Sequence, residues 1–154
     1  MKKLVLLPLF LLLVVPTLAA ADDMEKYIEM MRSDLRSAKT EIHTEALDLT
    51  SEQAEKFWPI QREYETELAK LGDQRIQLIK DYVINYDTLT PEMAKKLVDR
   101  AFKLESARLD LLKKYTGKVS KKVSPMVAAR FAQIEALVNS LIDLQIRADT
   151  PLVP

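Results

Sequence analysis

The chain has no cysteine, only two glycines and a single histidine. Without cysteine no disulfide can brace the fold, and no thiolate is available as a nucleophile or soft metal ligand. Two glycines leave little material for the close backbone cradles that hold phosphates and cofactors. His43 stands alone. Glu41 and Glu45 are two positions away, and steps of two do not share a helix face. One histidine is a poor start for a zinc site, so His43 reads as an isolated surface residue. These absences argue against an enzyme, and no catalytic residue, cofactor or metal site is expected. No segment alternates apolar and polar with a period of two, so no strand is expected either. Stability must come from packed helices.

The N-terminus carries its own signal. Lys2 and Lys3 precede an apolar run from Leu4 to Val15, and Pro16-Thr17 leads into Ala19-Ala20-Ala21. That order is a secretory leader, with cleavage expected after Ala21. The run is shorter than the ~20 apolar residues that a span requires, so no stable membrane insertion is expected after cleavage. Residues 22–150 are expected to form one helical domain, with 151–154 as a tail. The whole chain balances 23 basic against 23 acidic groups. Loss of Lys2 and Lys3 tips the remainder to a charge of about −2. Nucleic-acid binding rests on clustered positive charge, so no nucleic-acid partner is expected.

What the chain does have is a phrase repeated three times: Leu49-Thr50-Ser51-Glu52-Gln53, Leu89-Thr90-Pro91-Glu92-Met93 and Val123-Ser124-Pro125-Met126-Val127. Each opens with an apolar residue and a hydroxyl, and the physics of that phrase is helix capping. Thr50 and Gln53 have the capping-box spacing. Thr90 and Ser124 are caps followed by Pro91 and Pro125 at the first helical position, where a missing N–H costs nothing.

Between these marks the apolar spacing predicts four helices. The first has a stripe of Met24, Ile28, Met31, Leu35, Ala38 and Ile42, with Asp22 or Asp23 as its cap. The second runs from Ser51 to Tyr86, roughly 54 Å long, with a bend expected at Pro59. The third carries Ala94, Leu97, Val98, Ala101, Leu104, Leu111, Leu112 and Tyr115, and Gly117 should end it. The fourth carries Val127, Phe131, Ile134, Val138, Leu141, Ile142 and Ile146. The class is all-α, with a long central antiparallel hairpin, elongated or cradle-like rather than a compact bundle. The second helix is too long to be covered completely, so part of its stripe should stay exposed as a binding face.

Leu49-Thr50-Ser51-Glu52-Gln53 is an LTxxQ motif, and with the leader and the helical layout from about Met24 to Ile146 the chain resembles the Spy/CpxP family of periplasmic proteins. The resemblance implies antiparallel helical hairpins paired into a cradle-shaped homodimer. It further implies ATP-independent holding of unfolded proteins, or damping of envelope-stress signalling. Met93 stands where the second copy would have Gln, and the third copy keeps only Val-Ser-Pro. The implied location is the periplasm. The alternative partner is the periplasmic part of a sensor kinase or an anti-sigma factor.

Candidate surface residues are Met24, Met31, Phe57, Trp58 and Tyr64, for a client or a second copy. The competing reading buries Phe57 and Trp58 in the core at the Pro59 bend and treats the methionines as core filling. Lys113, Lys114, Lys118, Lys121 and Lys122 form a basic cluster. It is either an attractor for acidic partners or, through Lys113 and Lys114, a complement to the end of the third helix. Glu63 and Glu67 read as a solvated charged face.

Overall fold

The computed structural model describes the backbone of residues 19–154, and side chains from residue 30 onward except those of 31, 32 and 149. Residues 1–18 of the expected leader, and the side chains of Met24 and Met31, lie outside the described residues. The fold is all-α: α1 (Ala19–Leu47), α2 (Ser51–Asn85), α3 (Pro91–Lys122) and α4 (Pro125–Asp149), with a 3-10 turn at Tyr86–Thr88 between α2 and α3. No strand occurs among the described residues. The chain divides into two compact units, residues 1–38 and 39–154. The buried core belongs to the second unit.

Each later helix starts at a hydroxyl cap. Thr50 Oγ1 accepts from the Gln53 amide at 3.3 Å, and Gln53 Oε1 accepts from the Thr50 amide at 3.1 Å, so the capping box is complete. Thr90 accepts from the Met93 amide at 3.3 Å, and Met93 has nothing to return. Ser124 accepts from the Val127 amide at 3.1 Å. Pro91 and Pro125 open their helices.

α1 is already helical at Ala19, where the described residues begin. One boundary differs from expectation. α3 continues through Gly117 to Lys122, and no glycine has positive φ. A helical glycine costs only about 1 kcal/mol. Beyond it Val119 is fully buried and Lys118 pairs with Glu63, so packing outweighs propensity. α2 likewise runs unbroken through Pro59.

α2 and α3 form the antiparallel hairpin. Glu63 pairs with Lys118, Glu67 with Lys114, and Asp81 with Arg100. Each step up α2 is matched by an equal step down α3. The core sits at the end where α2 begins, α3 ends and α4 begins. Leu47, Phe57, Ile60, Tyr64, Leu111, Tyr115, Val119, Val127, Ala128 and Phe131 are buried together there. Its rings meet edge to face: Tyr64 with Phe131 at 5.4 Å, Tyr64 with Tyr115 at 5.5 Å, and Phe57 with Phe131 at 5.9 Å. That arrangement suits aromatic quadrupoles.

Candidate functional site

Two features stand out from a plain helical core: a sealed polar cluster and an uncovered apolar side. The cluster is built by the last turns of α1. From Lys39 to Leu47 only Lys39, His43 and Leu47 are buried, one residue per turn. Lys39 Nζ donates to Glu65 Oε1 of α2 at 2.5 Å and to Glu135 Oε2 of α4 at 2.9 Å. Gln61 Nε2 lies 3.4 Å from the same Glu65 oxygen. His43 is stacked on Phe131 at 5.7 Å and meets Phe57 edge-on at 5.9 Å. Its Nε2 lies 3.3 Å from Glu135 Oε1. Among the described residues neither atom of that pair, nor the Tyr64 hydroxyl, meets strict hydrogen-bond geometry, although Glu135 and Asn139 lie close enough to act on Tyr64.

This burial sets the charge states. Burial, and then the Lys39 ammonium, bring His43 down to about 4, so it is neutral at neutral pH. Burial pushes the Glu135 carboxyl up, and the Lys39 ammonium opposes that rise. Burial and the neighbouring Glu135 raise the Tyr64 phenol. With His43 and Glu135 both at 0 % exposure the cluster is sealed from solvent in this arrangement, and it holds a helix in place. Among the described residues no group of three or more His, Asp or Glu side chains is placed to bind a metal.

The second feature lies on α3 and α4. Val98, Phe102 and Leu109 of α3, and Leu137, Leu141 and Leu144 of α4, are large apolar side chains left exposed. Phe102 is 69 % exposed and Leu144 67 %. Arg108 and Asp143 face each other across the two helices through bonds of 3.1 and 2.7 Å. At about 100° per residue, Leu109 and Phe102 lie roughly 100–120° round α3 from Arg108. Leu144 and Leu137 lie roughly 100–120° round α4 from Asp143, in the same sense. For an antiparallel pair, equal rotations of one hand point to one side. Both rows therefore share a side of the α3–α4 layer.

Several sequence expectations are corrected. His43 is in the core. Of the candidate surface residues, Tyr64 is fully buried, and Phe57 is too, as the competing core reading had it; Lys39 and His43 of α1 and Phe131 of α4 pack against their rings, and Trp58 is half-buried at the core edge, 5.2 Å from Phe57. The expected stripe of α1 is displaced by one position. Leu35, Ala38 and Ile42 are exposed, and the buried row is Lys39, His43 and Leu47. The buried carboxylate of Glu135 and the part-buried one of Glu65 require a cation, and Lys39 supplies it. α2 leaves Val83 and Ile84 exposed rather than its long stripe. In the lysine cluster Lys114 and Lys118 are tied to α2, and Lys121 and Lys122, not Lys113 and Lys114, occupy the last turn of α3. Glu63 and Glu67 do lie on a charged face, with their partners on α3.

Phe102, Leu109, Leu137 and Leu144 are not among the surface candidates read from the sequence. Their signal was available: α4 is apolar on two faces, whereas a helix covered on one side needs only one such stripe. Glu135, between Phe131 and Val138 on the apolar face, was a second. No described helix is long and apolar enough to cross a membrane. Comparison with protein-family models, with curated proteins and with solved structures finds no match.

Proposed function

We propose that this chain is an exported, ATP-independent holding protein of the Spy/CpxP kind, acting in the periplasm as a homodimer. It binds apolar segments of partly unfolded proteins reversibly. One observation carries the reading: Val98, Phe102, Leu109, Leu137, Leu141 and Leu144 are exposed on one side of α3 and α4. Exposed apolar rows on a charged helical surface suit a binding face. Such a face takes extended apolar chain of many sequences, because hydrophobic burial is non-directional.

The alternative, docking on an envelope-stress sensor through the basic cluster, has less to stand on. Lys114 and Lys118 are already paired with Glu67 and Glu63, and Lys113 lies near Asp110. The deciding experiment is light scattering from a chemically denatured, aggregating client without ATP. Suppression at stoichiometric amounts is expected, lost when Phe102, Leu137 and Leu144 are changed together to Ser. Absence of suppression at several-fold excess, with salt-sensitive capture of one membrane protein, would favour the sensor-docking reading instead.

A further inference from the structure

We propose that the last turns of α1, Lys39–Leu47, are a latch over an aromatic binding surface formed by Phe57, Tyr64 and Phe131. The buried residues of the segment form a single row, Lys39, His43 and Leu47, while Thr40–Ile42 and Thr44–Ala46 are exposed. Two of the three anchors are polar. Removing water from Lys39, Glu65 and Glu135 costs about what their attraction returns, so a buried ion cluster fixes position without adding much net stability. On release these groups regain water, so the cost of opening is set by the apolar area uncovered on Leu47 and the rings rather than by the ions. Leu47 adds an apolar anchor, and the Arg130 guanidinium donates to the Leu47 carbonyl at 3.2 Å.

The pivot is also present. α1 and α2 are joined by three residues only, Asp48-Leu49-Thr50. Asp48 has φ of +48°, a left-handed conformation that side chains other than glycine adopt sparingly. Rotation there lifts Lys39–Leu47 without disturbing the Thr50 cap of α2. The surface so uncovered has a definite chemistry. His43 lies against both Phe57 and Phe131, and Lys39 Nζ lies 5.4 Å from the centre of the Tyr64 ring. The opened surface is three aromatic rings edged by Glu65 and Glu135. It is suited to an apolar or aromatic peptide segment carrying a basic residue, the same chemistry that Lys39 and Leu47 present in the closed state. This assignment of a second client surface rests on the proposed holding activity; the latch itself does not.

Native-state hydrogen exchange on the chain tests the latch. Backbone amides of 40–47 are expected to exchange at least 100-fold faster than those of Tyr115 and Phe131, with a smaller denaturant dependence. Trp58 is the only tryptophan, so its emission reports the same opening. Replacing the ion cluster by apolar side chains (Lys39→Met with Glu135→Leu) should slow exchange in 40–47 by 10-fold or more. Equal rates and equal denaturant dependence for 40–47 and the core amides would overturn the latch. Faster exchange in 40–47, with the locked double variant suppressing client aggregation as well as the unaltered chain, would remove the aromatic client surface. If the unaltered chain itself fails to suppress aggregation, the holding activity fails and the exchange result still decides the latch.

Discussion

The two ends of the α2–α3 hairpin are built on different principles. At the end where α2 starts, Phe57, Tyr64, Tyr115 and Phe131 interlock, with Leu47 of α1 and the first turns of α4 packed into the same core. Towards the turn at Tyr86–Thr88, polar bonds tie the helices together. Asp143 accepts from Arg75 at 2.7 Å and from Arg108 at 2.7 and 3.1 Å, and Arg100 reaches Asp81 at 2.6 Å. Tyr82 and Tyr86 donate to the carbonyls of Pro151 and Leu152, which straps the tail onto the end of α2 and the turn after it. Burial raises the Asp143 carboxyl, but the hydrogen bonds from Arg108 and Arg75 outweigh it and hold the group low. One end therefore takes its stability from area removed from water. The other takes geometry from directional bonds and leaves apolar side chains exposed.

The sharpest break of that comparison is a pair of phenylalanine truncations. Phe131→Ala should cost about 3–5 kcal/mol in urea unfolding, because it leaves a cavity among rings that cannot collapse. Phe102→Ala should change stability by no more than about 0.5 kcal/mol, as exposed sites do. If Phe102→Ala were as costly as Phe131→Ala, the two ends would not differ in kind.

Acidification probes the sealed end. A histidine held at about 4 in the fold and near 6.5 in the unfolded chain favours unfolding as pH falls between those values. Its contribution is nil above about 6.5 and is complete below about 4. Glu135 has the opposite sign. Its raised carboxyl takes a proton earlier in the fold, so its contribution is full below the ordinary carboxylate value and is lost as pH rises through the raised one. Lys39 and Glu135 are the charged or titratable groups placed against His43, and neither is on the outer apolar side. From pH 7 to pH 5 the histidine should remove about 2 kcal/mol, at 1.36 kcal/mol per unit. His43→Leu should abolish that loss; an unchanged pH dependence in the variant would show that the loss arises elsewhere.

The smallest test concerns α2 and α3 themselves. A Cβ added at Gly72 or Gly117 would meet nothing within 4 Å, and neither residue has positive φ. Gly72→Ala and Gly117→Ala should each raise stability by about 1 kcal/mol, since alanine loses less backbone entropy in a helix. A loss at Gly117 alone would mean that the late part of α3 needs a glycine for a reason other than space.

How much of this was legible depended on how local the cause was. Thr50, Gln53, Thr90, Pro91, Ser124 and Pro125 act within a single turn of helix, so the sequence alone was enough to place the starts of α2, α3 and α4. The all-α class follows equally from period, since no stretch of the chain alternates. The end of α3 was set by the burial of Val119 against distant residues, and Gly117, a local signal, was overruled. The row that docks α1 was decided further away still. Lys39 and His43 lie on the buried face because Glu65 and Glu135, on two other helices, are there to receive them. The same limit governs the candidate binding side. Apolar spacing shows that Leu137 and Leu144 share a stripe, and Phe102 and Leu109 another. Only the antiparallel docking of α4 on α3 decides that both stripes are left uncovered and point the same way. Capping and periodicity are properties of neighbours in the chain and belong to the sequence; burial is a property of whatever packs against a residue, and only the tertiary structure decides it.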